Sequence, residues 1–342
     1  MATVVDDIGS FPLPPSIDRR LFSEAYALAR KAIVEGKHVD ESDPSLHDFV
    51  SAIVASFRMK LDTGLDVVNY PQHYDIRRQF TDVISEAMRN GTYVVDEKHA
   101  ILPEVHVIET KSKELSEELG KKIPLRVCVT GPLELYLKEV GATPYKDVLL
   151  MFAETVRKFA RNSILDSKYV RTEVVSVDEP SFGLYDVTGD KETILNVLEK
   201  TFDFTGATKQ IHLHSTSRVA DILEVKNLDV LSFEYAASPR NIEAVSKGML
   251  EKADKQIRIG VSRTDIDSIM AELSERGITK PDAERLVEDE ETIRTRYVAA
   301  KRKYGERMTF AGPDCGLGGW PTQESARLLL KRTVNAVKSA GI

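Results

Sequence analysis

The residues best suited to chemistry in this chain are a cysteine, a histidine and a glutamate, each placed where a short apolar run ends. Cys315 lies in the turn Gly312-Pro313-Asp314-Cys315-Gly316, directly after the apolar residues 308–311. His214 ends the segment 210–214, and Glu234 ends the segment 230–234. Thiolate, imidazole and carboxylate groups are protein ligands of zinc, so the three side chains together indicate a site for Zn2+.

The other histidines and the second cysteine have more ordinary interpretations. His212 shares a strand face with His214 because side chains alternate along a strand. One of the pair could be a hydrogen-bonded wall residue, and we favour His214 as the ligand. Cys128 lies inside the apolar segment 125–129 and is expected to pack in the core. The histidines expected at the surface or in a hairpin are His73, His99 and His106.

Short β-branched runs alternate with amphipathic stretches along the chain, a pattern that predicts parallel strands joined by helices. The predicted strands are residues 4–8, 65–69, 125–129, 173–177, 210–213, 230–233, 257–261 and 308–311. The clearest predicted helices are residues 19–34, 48–61, 76–89, 146–165, 192–201, 282–303 and 324–339.

Eight strand-then-helix units predict an α/β fold, a (β/α)8 TIM barrel, whose usual length is about 250 residues. The 342 residues leave room for two additions. We expect a helical extension before the second strand. We also expect a β-hairpin insertion over residues 92–109, where Tyr93-Val94-Val95 and Val105-His106-Val107 alternate like strands. No repeat or linker divides the sequence, so we expect one catalytic barrel domain over residues 1–342.

A barrel of this class carries its active site at the carboxyl ends of the strands, so the residues after each run are candidates. Ser10, Gln72, Asp178 and Glu179 follow three of the runs. Ser10 could instead be a turn residue, and the two carboxylates could be solvated in a loop. The full set is Gly9-Ser10, Tyr70-Pro71-Gln72, Thr130-Gly131-Pro132, Asp178-Glu179-Pro180, His214, Glu234, Ser262-Arg263-Thr264-Asp265 and Asp314-Cys315.

Composition and charge exclude several classes of protein. The formal net charge of -7 argues against nucleic acid as the main partner, because phosphate binding needs a cationic surface. The N-terminus has neither a basic leader nor an apolar signal core, and no window is long and apolar enough to cross a bilayer. We therefore expect a cytoplasmic protein with no membrane partner, whose two cysteines are free thiols.

Six anchor segments follow one another in an order that matches a known enzyme family: Ile8-Gly9-Ser10-Phe11-Pro12, Thr130-Gly131-Pro132, Asp178-Glu179-Pro180, Ile211-His212-Leu213-His214, Phe233-Glu234 and Pro313-Asp314-Cys315-Gly316-Leu317 with Trp320-Pro321. Over nearly its whole length the chain resembles the catalytic C-terminal barrel of the cobalamin-independent methionine synthases, within the uroporphyrinogen decarboxylase-like superfamily.

The resemblance implies a zinc ion held by one His, one Glu and two Cys, which binds the sulfur of homocysteine before a methyl group is transferred to it. By position, His214, Glu234 and Cys315 correspond to metal ligands. Ser10 and Asp178 correspond to residues that hold the amino-acid end of the substrate, and Glu179 is a second carboxylate suited to its ammonium group.

Three positions depart from the pattern of that family. The second cysteine ligand corresponds to Thr216, which leaves three protein ligands, as in many catalytic zinc sites. An acidic residue that helps to hold the substrate amine corresponds to Gln72, so the acceptor thiol could differ from homocysteine. A histidine proton donor corresponds to Asp265, which would need a raised pKa to take that catalytic role.

The folate-binding N-terminal barrel of the longer family members is not expected here, so the chain resembles the short, archaeal-type "core" enzymes. That resemblance implies a zinc-dependent methyltransferase that forms methionine from homocysteine, with a methylcorrinoid as donor, free or on a corrinoid protein. Two alternatives stay open: transfer to a different thiol, and a barrel subunit that has lost catalysis. A decarboxylase is disfavoured because it would leave His214 and Cys315 without a role.

Overall fold

The strands of the sheet are parallel and hydrogen-bonded in the order β1-β8-β7-β6-β5-β4-β3-β2. The computed structural model describes residues 2–186 and 189–341. Within those ranges the strands β1 to β8 are Val4–Val5, Val68–Asn69, Ile123–Thr130, Val170–Glu179, Thr208–Leu213, Val230–Phe233, Gln256–Ser262 and Met308–Pro313.

The sheet closes on itself between β1 and β2, which are its two end strands. A parallel bridge joins Asp6 to Val67, and the carbonyl of Val5 accepts the backbone N–H of Val67 at 3.3 Å. Beside this short backbone contact, the Asp7 carboxylate accepts the backbone N–H of Asn69 at 2.8 Å and pairs with the buried Lys60 ammonium at 2.7 Å. Closure confirms the predicted (β/α)8 barrel.

Helices surround the barrel and bury their apolar faces against it. Asp18 caps the first helix by accepting the backbone N–H groups of Arg20 and Leu21. The helices α1 to α13 are Arg19–Val34, His47–Leu61, Arg78–Arg89, Pro103–Leu119, Pro132–Glu139, Lys146–Asn162, Lys191–Thr201, Val219–Ile222, Lys247–Ala253, Ile266–Glu275, Ala283–Leu286, Glu290–Tyr304 and Gln323–Lys338. The predicted N-terminal extension is confirmed as α1 and α2, which precede β2 and pack against α4. None of the helices described is long and apolar enough to span a membrane.

The predicted β-hairpin over residues 92–109 is wrong, because this segment holds a short 3-10 turn, Glu97–His99, and the first part of α4. Pro103 is the first residue of α4. A backbone N–H at this position has no partner within the helix, so the missing N–H of proline costs no hydrogen bond. The buried residues Val105, Ile108 and Leu115 follow the helical spacing on one face. The alternation at Val105-His106-Val107 is therefore a short stretch of an amphipathic helix.

The barrel interior holds a buried ionic network on three strands. The Asp6 carboxylate, just after β1, lies 2.5 Å from the guanidinium of Arg126 on β3 and 2.7 Å from that of Arg258 on β7. All three side chains are inaccessible to solvent. Arg126 also donates to Gln210 on β5, and Arg258 donates to the carbonyl of Pro313 at 3.0 Å. These bonds tie opposite walls of the barrel together.

Candidate metal centre

The three predicted metal ligands converge at the carboxyl ends of their strands. His214 and Glu234 directly follow β5 and β6, and Cys315 lies two residues beyond β8. The His214 Nε2 atom is 3.5 Å from the Cys315 Sγ atom and 3.5 Å from the Glu234 Oε1 atom. Nitrogen, sulfur and carboxylate oxygen therefore meet around one point that faces solvent only in part.

His212 joins this cluster from one step deeper in β5. One donor atom from each of His212, His214, Glu234 and Cys315 lies within 4.8 Å of the other three. The His212 ring is buried, and its Nδ1 atom is 3.2 Å from the Ser232 hydroxyl. Burial and the positive charges nearby hold the pKa of His212 well below its usual value, so the ring is neutral.

The backbone around His214 and Glu234 is held by one amide side chain. Asn241 donates to the carbonyl of His214 at 3.0 Å and to the carbonyl of Glu234 at 2.9 Å. The hydroxyl of Thr216 donates to the Asn241 Oδ1 atom at 3.2 Å, which fixes the orientation of the amide. Thr216 thus supports the loop that carries His214 through Asn241.

The Cys315 loop is fixed to the Glu234 loop by a buried carboxylate. Asp314 accepts the backbone N–H groups of Tyr235, Ala236 and Ala237 at distances of 2.6–3.0 Å. Burial raises the pKa of Asp314 to about 6, although these three donors and Arg258 favour its ionised form. Three hydrogen bonds to one carboxylate therefore join the loops that carry two candidate ligands.

The electrostatics of the cluster are those of crowded acidic groups. Burial raises the pKa of the Cys315 thiol far above its usual range, and the neighbouring carboxylates of Glu234, Asp178 and Asp314 raise it further. Burial, followed by the charges of Asp314 and Asp265, raises the pKa of Glu234 to about 8. A divalent cation would reverse both shifts, because it favours the thiolate and the carboxylate.

An open-mouthed cavity of about 150 Å³ adjoins the cluster. Ser10, Gln72 and Asp178, three of the predicted substrate-binding residues, line it together with His212, His214 and Cys315. Its other lining residues are Ile8, Gly9, Ile76, Arg77, Thr130, Glu134, Pro180 and Gly316.

Ser10 is held in the cavity wall by the loop that follows β8. Its hydroxyl oxygen accepts the backbone N–H of Gly318 at 3.1 Å, and its carbonyl accepts the N–H of Leu317 at 2.6 Å. A Cβ atom at Gly316 would lie 2.8 Å from the Ser10 backbone nitrogen, so only glycine permits this approach. The hydroxyl hydrogen of Ser10 stays available to a ligand.

Gln72 and Asp178 have unusual surroundings for polar residues. Gln72 has a φ of +48°, a left-handed conformation that strains a residue with a side chain, and it is buried. Its amide donates to the Gln79 Oε1 atom at 3.2 Å. Burial raises the pKa of Asp178 to about 6, although Ser176 donates to its carboxylate at 2.7 Å. Both side chains are thus held in place at the cavity.

Glu134 is a cavity residue that the sequence did not single out. It lies in the first turn of α5, and its side chain is buried in the cavity wall. Its Oε1 atom is 3.6 Å from the Lys138 ammonium, and its Oε2 atom has no hydrogen-bond partner within the described chain. The sequence did offer one signal for Glu134: it lies four residues after Thr130, at the start of the helix that follows β3, where a barrel carries its active-site residues.

Glu179 does not reach the cavity, contrary to the prediction that it binds substrate. Strand alternation turns it away from Asp178, and its carboxylate accepts the backbone N–H groups of Leu133 and Glu134 at 2.9 and 2.8 Å. Burial raises its pKa to about 8. The structure therefore gives Glu179 the task of capping the first turn of α5.

Asp265 is likewise unsuited to the proton-donor role predicted for it. Both of its carboxylate oxygens accept hydrogen bonds from the Arg263 guanidinium, at 3.0 and 2.8 Å. Burial alone would raise the pKa of Asp265, but the hydrogen bonds and charge of Arg263 outweigh it and lower that pKa. Asp265 is held as a carboxylate, and it is not among the residues that line the cavity.

Comparison with known proteins gives a structural likeness alone. No protein-family model and no curated protein match the sequence. A B12-independent methionine synthase from Shewanella sp. W3-18-1, solved in complex with selenomethionine, has a TM-score of 0.59 at 11% identity, covering 99% of this chain and 97% of that one. An endo-beta-1,4-mannanase from Thermotoga petrophila has a TM-score of 0.43 at 10% identity, covering 86% and 74%. The first likeness shows a shared barrel fold.

Proposed function

We propose that this protein is a zinc-dependent methyltransferase that moves a methyl group to the thiol of homocysteine and forms methionine. The observation that carries the proposal is the convergence of His214, Glu234 and Cys315 beside a cavity that contains several polar side chains. The motif resemblance and the shared fold of the methionine synthase from Shewanella support it.

The distances from the His214 Nε2 atom to the Cys315 sulfur and to the Glu234 carboxylate oxygen fit a tetrahedral zinc site without rearrangement. In a tetrahedral site with Zn–N near 2.0 Å and Zn–S near 2.3 Å, neighbouring ligand atoms lie about 3.4–3.6 Å apart. The observed separations from the His214 Nε2 atom are both 3.5 Å. Burial and neighbouring carboxylates raise the pKa values of Cys315 and Glu234, so both groups would gain from a cation between them.

A bound zinc ion would lower the pKa of an incoming thiol, so that a thiolate nucleophile exists at neutral pH. The rest of the task falls to the cavity residues. Asp178 and Glu134 offer carboxylates to the substrate ammonium, and the Oε2 atom of Glu134 has no competing partner among the residues described. Ser10 offers its hydroxyl hydrogen to the substrate carboxylate. These contacts orient the sulfur toward Cys315 and His214.

A methylcorrinoid is the proposed methyl donor, either free or on a corrinoid protein. The neutral Gln72 supports one alternative acceptor, because an amide cannot pair with an ammonium group as a carboxylate does. A thiol without an amino group at that end would suit it. Homocysteine remains the preferred acceptor because Glu134 adds a carboxylate to the cavity lining.

The test is the zinc content of the purified protein, with and without homocysteine, together with methionine formation from methylcobalamin and homocysteine. We expect about one zinc per chain, and Cys315→Ser should lose both the zinc and the turnover. Cys128→Ser is the matched control, since this second thiol is buried on β3 outside the donor cluster. Its zinc content should equal that of the unmodified protein. Full turnover by Cys315→Ser would overturn the proposal.

A further inference from the structure

A metal centre formed by His214, Glu234 and Cys315 alone gives no role to the buried His212, which belongs to the same cluster of donor atoms. We infer that His212 is a fourth protein ligand of the metal, which replaces the cysteine ligand lost at Thr216. The inference rests on the metal-dependent function proposed above. His212 belongs to the set whose donor atoms all lie within 4.8 Å of one another, whereas the Thr216 hydroxyl is bonded to Asn241.

The first argument is an unsatisfied nitrogen. The side chain of His212 is 1% exposed, and its Nε2 atom has no hydrogen-bond partner among residues 2–186 and 189–341. A buried polar atom without a partner is unfavourable, because it has lost its hydrogen bonds to water and has gained none in the protein. Metal coordination would remove that penalty, because a neutral imidazole nitrogen offers its lone pair to a cation.

The second argument is the orientation of the ring. His212 and Ser232 are register partners on β5 and β6, and the His212 Nδ1 atom lies 3.2 Å from the Ser232 hydroxyl. When Nδ1–H donates to that oxygen, the lone pair is left on Nε2. Metal-binding histidines are usually oriented in this way by a partner on the second nitrogen. Ser232 is therefore a positioning residue for the proposed ligand.

Replacement of a cysteine thiolate by the neutral imidazole of His212 would give a metal centre with a different charge from that of the set implied by the resemblance. Two neutral imidazoles, one carboxylate and one thiolate carry two negative charges, which balance a divalent cation. The set of His, Glu and two Cys implied by the resemblance carries three. A neutral centre accepts an incoming thiolate without the repulsion that an anionic centre exerts, and it lowers the pKa of the thiol more strongly.

The experiment measures metal binding directly, with Zn2+ alone and Co2+ alone as probes. We expect His212→Gln to weaken Zn2+ binding by more than about 100-fold, and Ser232→Ala by about 10–100-fold, as for other residues that orient a ligand. The d–d bands of the Co2+ protein should change in His212→Gln, while the thiolate-to-metal band of Cys315 persists. X-ray absorption of the unmodified Zn2+ protein should show two imidazoles and one sulfur.

His73→Gln is the matched control. His73, which the sequence predicts at the surface or in a hairpin, is instead a buried histidine. Its two ring nitrogens have partners, the Phe11 carbonyl at 3.0 Å and the Ser56 hydroxyl at 2.9 Å. It should keep the affinity of the unmodified protein for Zn2+, and urea unfolding of each metal-free variant checks that it folds. Unchanged affinity and Co2+ bands in His212→Gln, or a single imidazole in the X-ray absorption, would overturn this inference alone. Absence of Zn2+ binding by the unmodified protein would overturn the proposed function as well.

Discussion

Replacement of Asp6 by Asn tests how the barrel interior is held together. The Asp6 carboxylate is the common partner of the Arg126 and Arg258 guanidinium groups, at 2.5 and 2.7 Å. The asparagine has nearly the same shape, so the change removes the negative charge and adds little strain. Two guanidinium groups would then lie close together in the barrel, with no solvent to screen them.

The magnitude follows from the burial of all three side chains. Removal of one partner from a buried ion pair costs about 3–5 kcal/mol, because the remaining charge is left uncompensated. Here one carboxylate serves two fully buried guanidinium groups, so we place Asp6→Asn at or above the upper end of that range. The total free energy of unfolding of a protein is only about 5–15 kcal/mol. The variant should therefore unfold at a much lower urea concentration.

Urea unfolding followed by circular dichroism provides the measurement. The matched control is Asp166→Asn, which breaks a surface pair with Lys122 at 2.9 Å, where the side chains are 71% and 40% exposed. Exposed pairs of this kind contribute about 0–1 kcal/mol. If Asp6→Asn lost no more stability than Asp166→Asn, the network would contribute little, and the reasoning from burial would be refuted.

Two further changes test other parts of the structure. Burial raises the pKa of Glu179 from 4.5 to about 8, so its contribution to stability is complete below pH 4.5 and is lost as the pH rises through 8. Glu179→Gln should flatten the decline in unfolding free energy between pH 5 and pH 8, and an unchanged decline would contradict this. A Cβ atom at Gly312 would lie 2.0 Å from the Asp6 carbonyl oxygen, so Gly312→Ala should cost about 3 kcal/mol or more in urea unfolding. Gly248, in α9, is the matched control, because a Cβ atom there would lie 3.9 Å from its nearest neighbour. Gly248→Ala should keep or raise the free energy of unfolding. Equal losses in the two alanine variants would refute the argument.

The barrel was predictable because parallel strands are buried on both faces and therefore read as continuous apolar runs. The prediction for residues 230–233 coincides with β6. The predicted segment 125–129 is shorter than β3, Ile123–Thr130, because backbone pairing extends back through Pro124 to Ile123 and forward to the polar Thr130. The helix α4 was missed because three alternating residues fit a strand and one helical turn equally well, and only the burial of Ile108 and Leu115 separates the two.

The candidate site was predictable in outline and not in its details. The rule that barrel sites form at strand ends placed Asp178 and His214 in one cavity, as the structure shows. The rule does not say which way a side chain points, and this led to the wrong expectation for Glu179. The rule also cannot show which side chains form ion pairs, so the ion pair between Asp265 and Arg263 was not foreseen. The unsatisfied nitrogen of His212 is visible only when its surroundings are known.

The pairing of β1 with β8 sets the order of events in a newly made chain. Val4 pairs with Phe310, so β1 can complete its ladder only after β8 has been synthesised. The donors of β5 and β6 emerge well before Cys315, and the wall at Ser10 is anchored only when Leu317 and Gly318 arrive. A nascent chain would therefore hold every proposed donor except Cys315 until ring closure, and acquisition of the metal would mark a completed barrel.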